Sequence, residues 1–173
     1  MTNYHALEVF DDPVERGNQL LGAPSNWWFT STYSETNMYT LLGQYQVAGN
    51  IMTAYCNNSV TGLNAGFYYS ILGVFNLSNN VKVIKLRDQN GIYATEWSGA
   101  YNDSDPIWST ISTTSKTAVK YARTNDGVFF MTITDFKKNF QWVMYTFNPA
   151  TWKHAYWMAL GDGDTIGTPG VSS

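Results

Sequence analysis

The sequence predicts a mainly β fold, of the α+β kind, with one or two short helices, and three observations carry that prediction. A series of short segments after residue 50 is rich in β-branched and aromatic side chains, with clusters of Asn, Asp, Gly and Ser between them. One earlier run alone has clear helical spacing. The chain has 173 residues, 44% hydrophobic and 16% aromatic, which is enough apolar material for one domain with its own core.

Residues 1–24 are polar and broken by Pro13, Gly17, Gly22 and Pro24, so they read as a lead-in to a domain over residues 25–150. From Ser34, SETNMYTLLGQYQVAGN sets Met38, Leu41, Leu42 and Tyr45 on one face of a helix. A hydroxyl residue caps it ahead, and Gly49-Asn50 stops it. The segments IMTAYCN, GFYYSILGVFNL, VKVIKLRD, IYATEWSG, TAVKYAR, GVFFMTITDF and WVMYTFN follow as strands of an antiparallel sheet. AGFYYSILGVF in particular reads as a buried strand. TITDFKKNF breaks the alternation, and Thr134 ahead of Asp135 reads as the cap of a short helix burying Phe136 and Phe140. The tail GDGDTIGTPGVSS, residues 161–173, has too few apolar groups to order itself without a partner.

Charge and cysteine usage narrow the function. Ten basic against thirteen acidic residues, net -3, make no field that would collect phosphates, so nucleic acid is not expected as a partner. A single cysteine, Cys56, excludes a disulfide framework and reads as a small buried hydrophobe. The amino terminus resembles neither a secretory signal nor a membrane span, which leads to the expectation of a reducing, cytoplasmic setting. His5 and His154 stand in no catalytic spacing, and Asp162 and Asp164 in GDGDTIG read as a solvated turn rather than a calcium loop. Composition and spacing alone end at a β-rich domain with acidic loops.

Two gapped aromatic patterns carry more. EWSGAYNDSDPIW, Glu96 to Trp108, resembles the calpain stretch Glu-Trp-x-Gly-x-Trp-Ser-Asp with its later tryptophan. NDGVFFMTITDFKKNF, Asn125 to Phe140, resembles Glu-Asp-Gly-x-Phe-Trp-Met-Ser-x-x-Asp-Phe of the same family. With these anchors GAPSNWW, LLGQYQVAGNIMTAYCNN and WKHAYWMALGDGDTIGTPG fall into order. Residues 25–150 then resemble the antiparallel second subdomain of the papain-like calpain core, and residues 151–173 the linker to a C2-like domain.

The resemblance implies a lost reaction. The family strand Gly-His-Ala-Tyr-Ser-Val aligns with GFYYSI, so Phe67 stands where the general base would be. The orienting asparagine of Asn-Pro-Trp-Gly falls at Asp88, and the cysteine-bearing half has no counterpart in the chain. A phenyl ring accepts no proton, so no catalysis is expected. The resemblance also implies calcium ligands at Glu96, Asp103 and Asp126, with the Thr124 carbonyl, while Val128 replaces a fourth acidic ligand. That loss reads as a weak or vestigial site, and no other cofactor is expected. The implied function is a pseudoprotease serving as a structural or protein-binding subunit, with other subunits covering the face of the missing half. A cytoskeletal or ciliary assembly is the version the family favours. The alternative is half of a split calcium-dependent cysteine endopeptidase completed by another chain.

Overall fold

A computed structural model describes residues 22–60, 62–91, 96–148 and 150. Among these residues are six strands, β1 (Ser25–Phe29), β2 (Ile51–Cys56), β3 (Tyr68–Asn76), β4 (Lys82–Asp88), β5 (Val128–Thr132) and β6 (Phe140–Thr146). Three α-helices accompany them, α1 (Glu35–Val47), α2 (Thr113–Ala118) and α3 (Ile133–Asn139). All strands join one antiparallel sheet in the order β1-β6-β2-β3-β4-β5. This is the mainly β, α+β architecture that the segment pattern predicts.

The early helix forms as its spacing requires. The Ser34 side chain accepts a hydrogen bond from the Asn37 amide at 3.2 Å, and Glu35 lies in the positively polarised first turn. Met38 and Leu42 are fully buried against the sheet, with Leu41 and Tyr45 packed beside them. In β2 the alternation is clean, Met52, Ala54 and Cys56 pointing inward. Cys56 is wholly buried and burial pushes its thiol pKa up, as a small core hydrophobe requires.

The sheet is covered unequally on its two faces. Leu42 of α1 and Phe136 of α3 close one face over Ala54, Tyr69, Ile84, Leu86 and Val143, forming the larger core. On the other face, Tyr101, Trp108, Ile111 and Val119 cover Val83 of β4 and Phe130 of β5 in a smaller core. That second cover does not include the outward rings of β1, β6, β2 and β3. Phe29, Trp142, Tyr55 and Tyr68 lie in direct register there, with Trp27 beside them.

Four expectations need correction. Thr132 rather than Thr134 caps α3: its hydroxyl oxygen accepts from the Asp135 amide at 3.0 Å and donates to Asp135 Oδ2 at 2.7 Å. Thr134 is exposed and donates instead to Glu35 Oε2. TAVKYAR is no strand. Its first residues end α2, whose cap is Ser112, and the rest turns at Lys120 with φ +52°. The segment pairs with no strand and serves as cover through Val119. Glu96–Ser98 likewise form no strand, and SNWWF, absent from the expected strands, is strand β1.

Candidate functional site

The stretch AGFYYSILGVF is a half-buried strand rather than a buried one. Within β3, Tyr69, Ile71 and Val74 face inward, whereas Leu72 is 45% exposed. Phe67, expected in the core, is 40% exposed. The reason lies in the backbone. Gly66 donates its amide to the Cys56 carbonyl, yet the Cys56 amide donates to the carbonyl of Phe67, each at 2.9 Å. Two residues thus oppose one, and Gly66 adopts φ +83°, which makes a bulge of the glycine-first type. Phe67 sits on this bulge, before the regular pairing of β3 begins at Tyr68, and its ring stays partly open to water.

Asp88, at the end of β4, is paired across the ladder with Tyr69 and is 2% exposed. Topology therefore brings Phe67 and Asp88 to one end of the β3–β4 pair. Asp88 Oδ1 accepts from the Asn90 amide at 2.8 Å, while Oδ2 has no hydrogen-bond partner. The Tyr69 hydroxyl accepts from the Asn64 amide at 3.0 Å. Burial chiefly pushes the Tyr69 pKa up to about 12, and the Asp88 charge adds to it, although no hydrogen bond between the two side chains is completed. Asp88 stands as an acceptor inside the fold.

Gly127 joins this end to a second group of acids. Its carbonyl accepts from the Asp88 amide at 2.8 Å, and its own amide donates to Glu96 Oε1 at 2.6 Å. A side chain at Gly127 would run into the Gly91 backbone, so the turn requires glycine. Glu96 Oε1 also accepts from the Asp126 amide at 2.8 Å, and Asp126 Oδ1 accepts from the Val128 amide at 2.9 Å. Val128 opens β5 opposite Arg87 and offers no side-chain donor or acceptor. Thr124 is exposed.

Asp103 is the unusual member. It is 7% exposed, and neither of its carboxylate oxygens accepts a hydrogen bond. Burial first, then the charges of Glu96 and Asp126, raise its pKa to about 7. The Thr124 amide and the Lys85 ammonium pull the other way without completing a bond to it. Lys85 Nζ is held by the Val119 and Lys120 carbonyls at 3.0 and 3.1 Å. Asp103 lines a cleft of about 510 Å³ with Glu96, Trp97, Asn102 and Asn125.

The implied calcium set can be tested against this geometry. The oxygens of Asp103 are free, but Glu96 and Asp126 each commit an oxygen to backbone amides. Among the described residues, no three carboxylate, histidine or cysteine groups come together as a metal would require. As arranged, the residues do not fit a site that needs six to eight oxygens. His5, His154, Asp162 and Asp164 lie outside the described residues.

Trp97 escaped the sequence reading. Its Nε1 donates to the Ala100 carbonyl at 2.9 Å, and its ring lies where a side chain at Gly99 would be. The spacing Trp-x-Gly is the one signal that could have announced it.

A single antiparallel sheet with short helices is consistent with the mainly β, α+β fold of a calpain domain, which defines the class. The family profile "Calpain family cysteine protease" matches residues 2–146, and the chain belongs to that family. It is similar to Calpain-14 of Homo sapiens, 33% identical over 78% of this chain and 19% of that protein. Calpain-A of Drosophila melanogaster is 29% identical over 78% of this chain and 17% of its own length. Calpain-9 of Mus musculus is 27% identical over 78% of this chain and 19% of its own length. The chain thus spans less than a fifth of the length of these curated relatives. No helix among the described residues is long and apolar enough to cross a membrane.

Proposed function

We propose that this chain is a non-catalytic calpain-like domain that works by binding other protein subunits, as a structural element of a larger intracellular assembly, cytoskeletal or ciliary. The observation that carries this reading is the aromatic face at the β1–β6–β2–β3 end of the sheet. Trp27 contacts Phe29 and Trp142 at ring distances of 4.9 and 5.9 Å, and Tyr55 bridges Trp142 and Tyr68 at 4.8 and 5.0 Å. Trp27 remains 46% exposed and Phe29 38%. A contiguous aromatic patch open to water is characteristic of a protein interface. Phe67 supports the same reading, because a ring without a basic atom stands where the family places its base. Loss of a general base forfeits on the order of 10²- to 10⁴-fold in rate.

The test is assembly size. Purified from its native source, the chain runs above its own 19.5 kDa in light scattering, and the double variant Trp27→Asp, Phe29→Asp returns it to that mass. A wild-type chain that is monomeric in its native extract overturns the reading.

The bulge favours a second reading, half of a split calcium-dependent cysteine endopeptidase, because position 67 remains open to water beside it. In that case a partner supplies both cysteine and base. A cysteine-directed epoxide labelling a partner in the native complex, in a calcium-dependent way, would establish it over the first.

A further inference from the structure

Asn90 is followed by glycine, as no other asparagine of the sequence is. We infer that Asn90–Gly91, in the turn after β4, is a site of spontaneous modification, at which the asparagine deamidates through a cyclic imide to aspartate and isoaspartate. The reaction needs no enzyme and no partner, so it stands whether or not the aromatic face binds one.

Main chain attacks side chain in the first step. The Gly91 nitrogen, having lost its proton to solvent, bonds to Cγ of Asn90; the Cγ–Nδ2 bond breaks, and Nδ2 leaves as ammonia. Water then opens the imide. Breaking the new bond to Cγ leaves aspartate, whereas breaking the bond from Gly91 to the main-chain carbonyl carbon leaves isoaspartate, whose backbone runs through Cγ and is longer by a methylene.

The turn meets the needs of this chemistry. Asn90 is exposed, and no hydrogen bond among the described residues holds its side chain. Its own amide donates to Asp88 Oδ1 at 2.8 Å, which fixes the turn and leaves Cγ open. Gly91 has no Cβ to shield its nitrogen, and a Cβ placed there would meet only the Asp126 carbonyl, at 4.0 Å. Elsewhere the asparagine amide is held. Asn58 Nδ2 donates to the Lys138 carbonyl at 2.8 Å, and Asn102 Nδ2 to the Ser98 and Gly99 carbonyls.

Asp126–Gly127 forms the same imide in an unfolded chain, with water as the leaving group, but the fold blocks it. The Gly127 amide donates to Glu96 Oε1 at 2.6 Å, and Asp126 Oδ1 accepts from the Val128 amide at 2.9 Å, so attacking and attacked groups are both engaged. Modification at position 90 acts on this same turn. A Cβ on Gly127 would lie 2.7 Å from the Gly91 Cα, and the Asp88 amide donates to the Gly127 carbonyl at 2.8 Å. Against so close a fit, the longer isoaspartate backbone pushes Gly91 off Gly127 and loosens the hold of Glu96 on the 126 and 127 amides. Both products add a negative charge beside Asp88.

The experiment ages the purified full chain at neutral and mildly alkaline pH, then reads tryptic peptides 88–116 and 124–137 by fragmentation mass spectrometry, with protein isoaspartyl methyltransferase marking isoaspartate. Peptide 88–116 is expected to gain an acid at position 90 and none at 102, faster at the higher pH. Peptide 124–137 gains isoaspartate only in chain aged in urea. Asn90→Gln, whose longer side chain closes no five-membered imide, loses the modification. Hydrogen exchange at residues 126 and 127 is faster in the aged chain than in Asn90→Asp, which carries the charge without the longer backbone. A folded chain modified no faster at 90 than at 102 overturns the inference, as does modification at 90 confined to urea. Isoaspartate at 126 in the folded chain overturns the protection assigned to Glu96, and equal exchange in aged chain and Asn90→Asp overturns the loosening.

Discussion

Phe67 and Gly66 together separate side-chain identity from backbone duty. The Phe67 ring is 40% exposed, so replacing it with histidine is expected to change stability by no more than about 0.5 kcal/mol. Gly66→Ala is a different case: φ is +83° and nothing lies within 4 Å of the added methyl, so the cost is backbone strain, about 1–2 kcal/mol. Urea denaturation of the two variants checks both, and a large loss for Phe67→His would return that ring to the core. Asp103 sets a pH dependence. Its folded pKa of about 7 lies above the unfolded value near 3.9, so the folded state holds the extra proton between those limits. Its contribution is therefore neutral below about pH 4 and increasingly destabilising as pH rises toward 7. Asp103→Asn is expected to match wild type in Tm near pH 4 and to exceed it at pH 8; the opposite order would show the carboxylate to be satisfied in solution.

Among the elements, α3 illustrates how a cap is chosen. Two threonines, Thr132 and Thr134, flank its start, and both precede Asp135. The one three residues before the acid can accept from its amide and donate its hydroxyl to its carboxylate, and that is Thr132. Thr132→Ala should cost about 1 kcal/mol, and Thr134→Ala, which removes only an exposed bond to Glu35, less than half of that. Equal losses in thermal denaturation would contradict this assignment. The three-residue spacing is visible in the sequence, and it favours Thr132 over the threonine directly beside the acid. By contrast, α2 was not legible. TAVKYAR carries strand-forming residues, yet the Ser112 cap draws its first residues into a helix and Val119 packs into the smaller core.

For the whole molecule the two tryptophans of β1 divide the sheet's faces. Trp28 packs into the larger core, 9% exposed and 5.0 Å from Tyr33, while its neighbour Trp27 joins the outward aromatic face. Trp28→Ala is expected to cost about 3–5 kcal/mol, and Trp27→Ala about 1 kcal/mol or less in the isolated chain. If Trp27→Ala were the more damaging in chemical denaturation, the outward face would be part of the monomer's own core. The aromatic residues of this surface were all visible in the sequence, but their union was not. Phe29, Trp142, Tyr55 and Tyr68 come from four separate strands, and only register aligns them.

By itself the sequence determined what operates within a short window: the alternation of β2, the face and cap of α1, the burial of Cys56, and the aromatic patterns of the calpain family. Those features depend on residues a few positions apart, where propensity and periodicity act directly. Tertiary structure alone decided that SNWWF is a strand, since its partner lies over a hundred residues away at Thr146. It also decided that Phe67 faces water and that Asp103 is buried without a bond. Each of these turns on which backbone groups and charges meet across the sheet, a competition for partners that no local stretch of chain contains.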